Sequence, residues 1–351
     1  MTEQKIRLTF KGGGWVLVMT AIVISGFIAW AIAPAIFRLS EHVIGDGSTI
    51  ESYDFDLSNL QLQSEAIIPV MQHRNMSPVM THPEIFTLEQ IEARNAVQRD
   101  PYLISDDLVV GITIAGHSRA YPLHVLHVHE IINDVLGDIP IAVTWHWPSG
   151  HVAVYRRTVQ GEELQFANSG LGGNGGLLMY NLREEVGGEQ LFSSLLGSSI
   201  SGTPIQLQAV PHDVRSWSTW NATHRDTTVI AAKEYYKKRY RKGDPKMYFL
   251  TDTIYYPSSP MPEDGTNPKT LIIAIPTSSG HAVFSIPALL TVANDEGQVD
   301  VTIENKVITF SVTKSPLSAI VRDSSGNIVP SQRALWFAWY GNHPQDVITT
   351  P

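Results

Sequence analysis

Residues 124–134 read HVLHVHEIIND, and after a short Gly/Pro break residues 141–151 read IAVTWHWPSGH. In the first stretch apolar residues stand at 125, 126, 128, 131 and 132 behind Pro122, which predicts a short helix over Leu123 to Asn133. On such a helix His129, Glu130 and Asn133 share one face, and His124 and His127 another. The second stretch alternates and then meets Pro148-Ser149-Gly150. It predicts two antiparallel strands, Ile141 to His146 and Val152 to Arg156, with His146 and His151 at the shoulders of the turn, and a third strand over Glu163 to Ala167. A helix feeding such a hairpin fits an α+β fold rich in antiparallel strands.

Working outward, Leu108 to Ile114 is a strand by its β-branched content, and Ala120-Tyr121 returns after the Gly116-His117 turn. Thr87-Leu88-Glu89-Gln90 has the spacing of a capping box and opens a helix that Pro101 closes. Trp217, Trp220, Asn221 and His224 predict another short helix, and Lys233 to Lys246 reads as a solvated basic edge. Gly170 to Gly176 lacks the Gly-Lys-Ser/Thr ending of a phosphate loop; its glycines serve close backbone approach.

Beyond Asn267 the pattern starts again. Phe284 to Leu290 echoes Arg119 to Val125, and Val307 to Phe310 echoes Ala142 to Trp145, which puts Ser311 at the place of His146. The expected organisation is a first repeat over 81–266 and a second, ligand-poor repeat over 267–351. An extended linker over 38–80 precedes them.

Trp15 to Phe37 is uncharged and long enough to span a bilayer. Lys5, Arg7 and Lys11 lie before it, so residues 1–14 are expected in the cytoplasm, 15–37 as a single-pass transmembrane anchor, and the body on the periplasmic or extracellular side. The competing reading is a cleaved signal peptide with small-residue sites near Ala31 and Ala33; the length of the apolar run favours the anchor.

The 351 residues carry 25 Lys and Arg against 34 Asp and Glu, a net charge of −9, so the basic excess needed by a nucleic-acid partner is missing. There is no cysteine, which excludes disulfides, thiolate metal sites and cysteine-held clusters.

Several motifs together, singly unspecific, resemble the prokaryotic domain-of-unknown-function family numbered 3179 over roughly Asp54 to Val347. They are Asp54-Phe55-Asp56-Leu57-Ser58-Asn59, Arg119-Ala120-Tyr121-Pro122-Leu123, His129-Glu130-Ile131-Ile132-Asn133-Asp134, Ser169-Gly170-Leu171, Leu178-Met179-Tyr180 and Trp336-Phe337-Ala338-Trp339. The family pattern after Val143-Thr144 is an aromatic followed by Cys-Pro-x-Cys-Gly, which the resemblance implies to be a metal or redox site paired with the histidine of the His-Glu motif. Here His146 stands at the first cysteine and Ser149 at the second. That departure removes thiol redox chemistry and keeps a metal-ligand type at 146. The resemblance carries no established activity.

Five of the thirteen histidines fall between 124 and 151. His129, His146 and His151, with His127 as a fourth, are the expected ligands of copper or zinc, because imidazole suits both ions. Glu130, Asn133, Asp134 and Ser149 are the candidate catalytic or supporting groups. Two other classes stay open. One is a hydrolase with Ser149 as nucleophile, His151 or His129 as base and Asp134 orienting it. The other is an interaction or scaffold subunit of a membrane complex, packed through Gly26, Ala29 and Ala33.

Overall fold

Each half of the body contains a hairpin built from β-branched residues. The structure, a computed structural model describing residues 14–39, 43–97, 101–183, 187–242 and 245–351, pairs Leu108–Ile114 with His117–Pro122 across a turn in which Ala115 and Gly116 take φ of +51° and +80°. It pairs Leu271–Thr277 with Gly280–Ser285 in the same way. A seven-residue helix follows each hairpin, Leu123–His129 in one half and Ile286–Val292 in the other. Each helix then leads into a three-stranded meander: Ile131–Leu136, Ile139–His146 and His151–Arg156 in the first half, Gln298–Ile303, Lys306–Lys314 and Leu317–Asp323 in the second. The fold is α+β and rich in antiparallel strands.

The hairpins also acquire equivalent neighbours late in each half. Asp213–Ser216 runs antiparallel to Leu108–Ile114, leads into the helix Trp217–Thr223, and is followed by Thr228–Ile230, parallel to His117–Pro122. Gln332–Leu335, the helix Trp336–Asn342 and Ile348–Thr349 do the same for the second hairpin. The registers correct the alignment read from sequence by two residues. Tyr121 corresponds to Phe284, and Thr313, opposite Ser318, stands where His146 stands opposite His151. A two-residue slip keeps every side chain on its face, so the alternating pattern could not reveal it.

The halves interlock. Arg333 pairs with Val152, which joins the second hairpin sheet to the first meander in one eight-stranded sheet. Reciprocally, Asp213–Ser216 lies beside Leu317–Asp323. A six-stranded sheet containing Phe166–Gly173, Gly176–Asn181 and Glu189–Ser193 is inserted after the first meander. Residues expected as a linker are woven into these sheets: Phe55–Asp56 pairs with Glu189 and Gln190, Ile67–Pro69 with Leu171–Gly173, and Met80–Thr81 with Ile132 and Asn133. The close approach expected of the glycine loop occurs at Gly170, where φ is +78° and a Cβ would lie 2.7 Å from His73 O.

Two further expectations are revised. The helix from Leu123 ends at His129, because Glu130 takes φ of +55° and the chain turns into a strand, so Asn133 lies on a sheet and not on a helix face. The strand expected over Glu163 to Ala167 divides into Glu162–Glu163 and Phe166–Gly173. The capping box forms as read: Thr87 N–H donates to Gln90 Oε1 at 2.8 Å and Gln90 N–H to Thr87 Oγ1 at 3.3 Å.

Contacts separate residues 1–44 from Gly45–Pro351. Gly14–Leu39 is one helix. Its window Gly14–Ile32 is apolar, unburied and long enough to cross a membrane or to act as a signal sequence.

Gly111 shows how tightly the hairpin sheet is covered. A Cβ there would lie 2.2 Å from the six-membered ring of Trp220, which is buried. Gly111→Ala is expected to cost about 1–3 kcal/mol, the usual range for overpacking, read as a lower urea midpoint. An unchanged midpoint would mean that the Trp220 ring is free to move aside.

Candidate functional site

The turn between the paired residues His146 and His151 is a 3-10 turn, Trp147–Ser149, closed by Gly150 at φ +61°. Pro148 sets its entry, and a Cβ at Gly150 would come 3.0 Å from Leu335 Cγ. Ser149 Oγ donates to His146 O at 3.1 Å, which leaves it to accept from His146 Nδ1–H at 2.8 Å and leaves His146 Nε2 as the unprotonated nitrogen. His151 Nε2–H donates to Gln332 Oε1 at 2.9 Å, and its buried Nδ1 has no partner. Ser149 is fully buried and bonded only within its own turn.

His129 closes the helix on the other side. Its Nδ1–H donates to Pro78 O and its Nε2 accepts from Tyr240 Oη at 2.7 Å, so both ring nitrogens are occupied. Tyr236 and Tyr240, from the basic stretch that sequence placed in solvent, pack on this ring at 5.2 and 5.7 Å. His127 instead lies against Trp147 at 5.5 Å.

Burial keeps these imidazoles neutral. It pulls His129 down to about 4, His146 to about 3 with His151 adding to the effect, and His151 to about 4 despite its bond to Gln332.

Glu130 is the unusual acid. Its positive φ turns the chain, its carbonyl accepts Trp145 N–H at 2.9 Å, and its buried carboxyl accepts from Asn168 Nδ2 at 2.5 Å. Burial raises it to about 7, with hydrogen bonds from Ser77 and Asn168 opposing. Tyr256 lies near enough to feel the Glu130 charge and stacks on His146 with ring centroids 6.5 Å apart.

The neighbouring polar residues tie strands together. Asn133 exchanges hydrogen bonds with the backbone of Phe166, at 2.8 and 3.0 Å, and so splices two sheets. Asp134 accepts from Arg119 at 2.6 Å, Tyr121 at 2.7 Å and the Val135 amide at 2.7 Å.

His129, His146 and His151 therefore do not form a set of ligand atoms within metal range. Among the described residues, three such side chains meet elsewhere: one ligand atom each from His281, His343 and Asp346, all within 4.8 Å of one another. They lie in the half expected to be poor in ligands. Asp346 Oδ2 accepts from His281 Nδ1 and from Trp339 Nε1, each at 2.9 Å. The His343 ring packs 4.3 Å from Trp339 and 4.7 Å from His281, and its Nε2 is buried without a partner. Sequence held the signal for this group. Trp-x-x-Trp-x-x-x-His occurs at 217–224 and again at 336–343, and in both copies the histidine packs on the second tryptophan.

The body is thus a duplicated, interlocked α+β unit with a neutral, buried histidine hairpin in one half and an imidazole–carboxylate group in the other. A family model described as a protein of unknown function (DUF3179) matches residues 78–346, more than half of the chain, and the chain belongs to that family. No curated protein and no solved structure matches it.

The raised Glu130 carboxyl gives a signed pH dependence. The folded state holds this proton more tightly than the unfolded chain, whose carboxyl titrates near 4.5. The group's contribution is therefore full below pH 4.5 and is lost as pH rises through about 7, a change of up to about 3 kcal/mol at 1.36 kcal/mol per pH unit. Glu130→Gln is permanently neutral and can still accept from Asn168. It should match the wild type in stability near pH 4.5 and exceed it at pH 8; urea unfolding at the two pH values measures this. Equal stability at pH 8 would mean that Glu130 is solvated.

Proposed function

We propose that this chain is a single-pass, membrane-anchored protein that binds a copper or zinc ion on the extracytoplasmic side through His281, His343 and Asp346. The observation that carries the reading is the convergence of two imidazoles and a carboxylate around a His343 Nε2 that is buried and unpartnered. A buried polar atom without a hydrogen bond is costly, and a metal ion would use its lone pair.

The donor set is appropriate. Imidazole nitrogen binds both ions, and two histidines with one carboxylate is a zinc ligand set that leaves a coordination position open. Two contacts support the reading: Trp339 Nε1–H donates to Asp346, and the same ring packs on His343, as groups that orient metal ligands do. The anchor reading rests on the length and apolarity of Gly14–Ile32, and the orientation on Lys5, Arg7 and Lys11 before it.

The test uses the full chain, untagged, in detergent micelles, dialysed against zinc or copper(II) and assayed by mass spectrometry and calorimetry. One ion per chain is expected. His343→Ala and Asp346→Asn should each weaken it by more than the roughly 10–100-fold that an outer-shell change costs, while His146→Ala leaves it in place. Loss with His146→Ala but not with His343→Ala would move the centre to the hairpin, and a wild type that takes up neither ion would end the metal reading.

A further inference from the structure

The stretch from Lys233 to Tyr255 places large apolar and aromatic side chains in solvent beside a concentration of positive charge. Lys233–Lys246 holds seven basic and two acidic residues, a net of +5 in a chain of net −9. Tyr235, Met247 and Leu250 are 75, 70 and 77 % exposed, and Phe249 and Tyr255 are exposed as well. Among the described residues these three aromatics are the only exposed ones outside the N-terminal helix.

The exposure is not that of a loose segment, because alternate residues pin it to the body. Tyr236 and Tyr240 pack on His129. Tyr248 is buried, its hydroxyl donates to Pro148 O at 2.6 Å, and Lys269 Nζ sits 3.5 Å above its ring. Tyr235 therefore faces out where Tyr236 faces in, and Met247 and Phe249 face out on either side of Tyr248. Lys238 and Arg239 are exposed between them.

We infer that this surface docks the body on an anionic lipid bilayer. Exposed aromatic, Met and Leu side chains lower their free energy by entering the headgroup–acyl boundary, while Lys and Arg stems reach the lipid phosphates. Positive charge selects an anionic surface. An acidic protein would satisfy the charge too, but a chain that carries its own membrane helix keeps its body at high effective concentration near lipid, whichever way it turns. The inference rests on the reading of Gly14–Leu39 as a retained anchor.

The absence of cysteine makes the test direct. Full-length chain carrying Leu250→Cys, and separately Val347→Cys as an exposed control, is labelled with a nitroxide and placed in lipid discs of phosphatidylcholine alone or mixed with phosphatidylglycerol. The label at 250 should become more accessible to oxygen than to a water-soluble nickel relaxant only in the anionic discs, and high salt should reverse this. The label at 347 should stay aqueous in both. Lys238→Gln with Arg239→Gln should weaken the shift about tenfold or more. A label at 250 that stays aqueous in anionic discs, or that enters neutral discs equally, overturns the inference. Co-purification of chain with disc reads the anchor separately. A chain that fails to insert, yet whose label is buried by phosphatidylglycerol vesicles, would sink the anchor and support the surface.

Discussion

An unpaired strand edge is the constraint that organises this body. The first meander ends at His151–Arg156 and the second hairpin sheet at Gln332–Leu335; Gln208–Val210 bonds the far part of the first edge, and Arg333 meets Val152 to join the two sheets. The other two edges, Asp213–Ser216 and Leu317–Asp323, lie beside each other. Each half thus closes the other, and a repeat read as consecutive in sequence is exchanged in space. The histidine hairpin sits at this joint: His151 precedes Val152, and its imidazole is held by Gln332 of the other half.

That position explains why the hairpin's polar groups are neutral. A charge buried between sheets would need a counter-charge with good geometry. The partners supplied are Ser149, Gln332, Pro78 O and Tyr240 for the imidazoles, and Asn168 and Ser77 for Glu130. At Asp134, nearby, the carboxylate has Arg119 as its partner. Glu130 lies between these cases, a carboxyl held by neutral donors that gives up its proton near neutrality.

The sequence was most informative where one periodicity or one cap decides the structure. The hairpin with its two histidine shoulders, the capping box at Thr87 and the duplication were all legible. The helix end was not, since nothing in Ile131-Ile132 distinguishes helix from strand when a left-handed Glu130 makes the switch. The site was legible in its residues but not in its contacts. Tyr236, Tyr240, Asn168 and Tyr256 come from distant segments, and a histidine's partners depend on which loop covers it. The imidazole–carboxylate group was hidden differently. His281, His343 and Asp346 are spread over the second half, and only the repeated tryptophan–histidine spacing ties two of its elements together.

The two halves show what that repeated frame permits. Trp220 Nε1–H donates to Thr227 Oγ1 at 2.9 Å, and Trp339 Nε1–H donates at the same distance to Asp346 Oδ2, its counterpart. A threonine hydroxyl in that place is neutral and complete. An aspartate there also accepts from His281 Nδ1 at 2.9 Å, so one carboxylate joins the helix to the hairpin. Position 281 corresponds to Ser118 in the first half. The changes at the two positions therefore go together. A histidine beside the aspartate gives the second half an imidazole–carboxylate pair, and the first half, with serine and threonine in those places, keeps the frame without it.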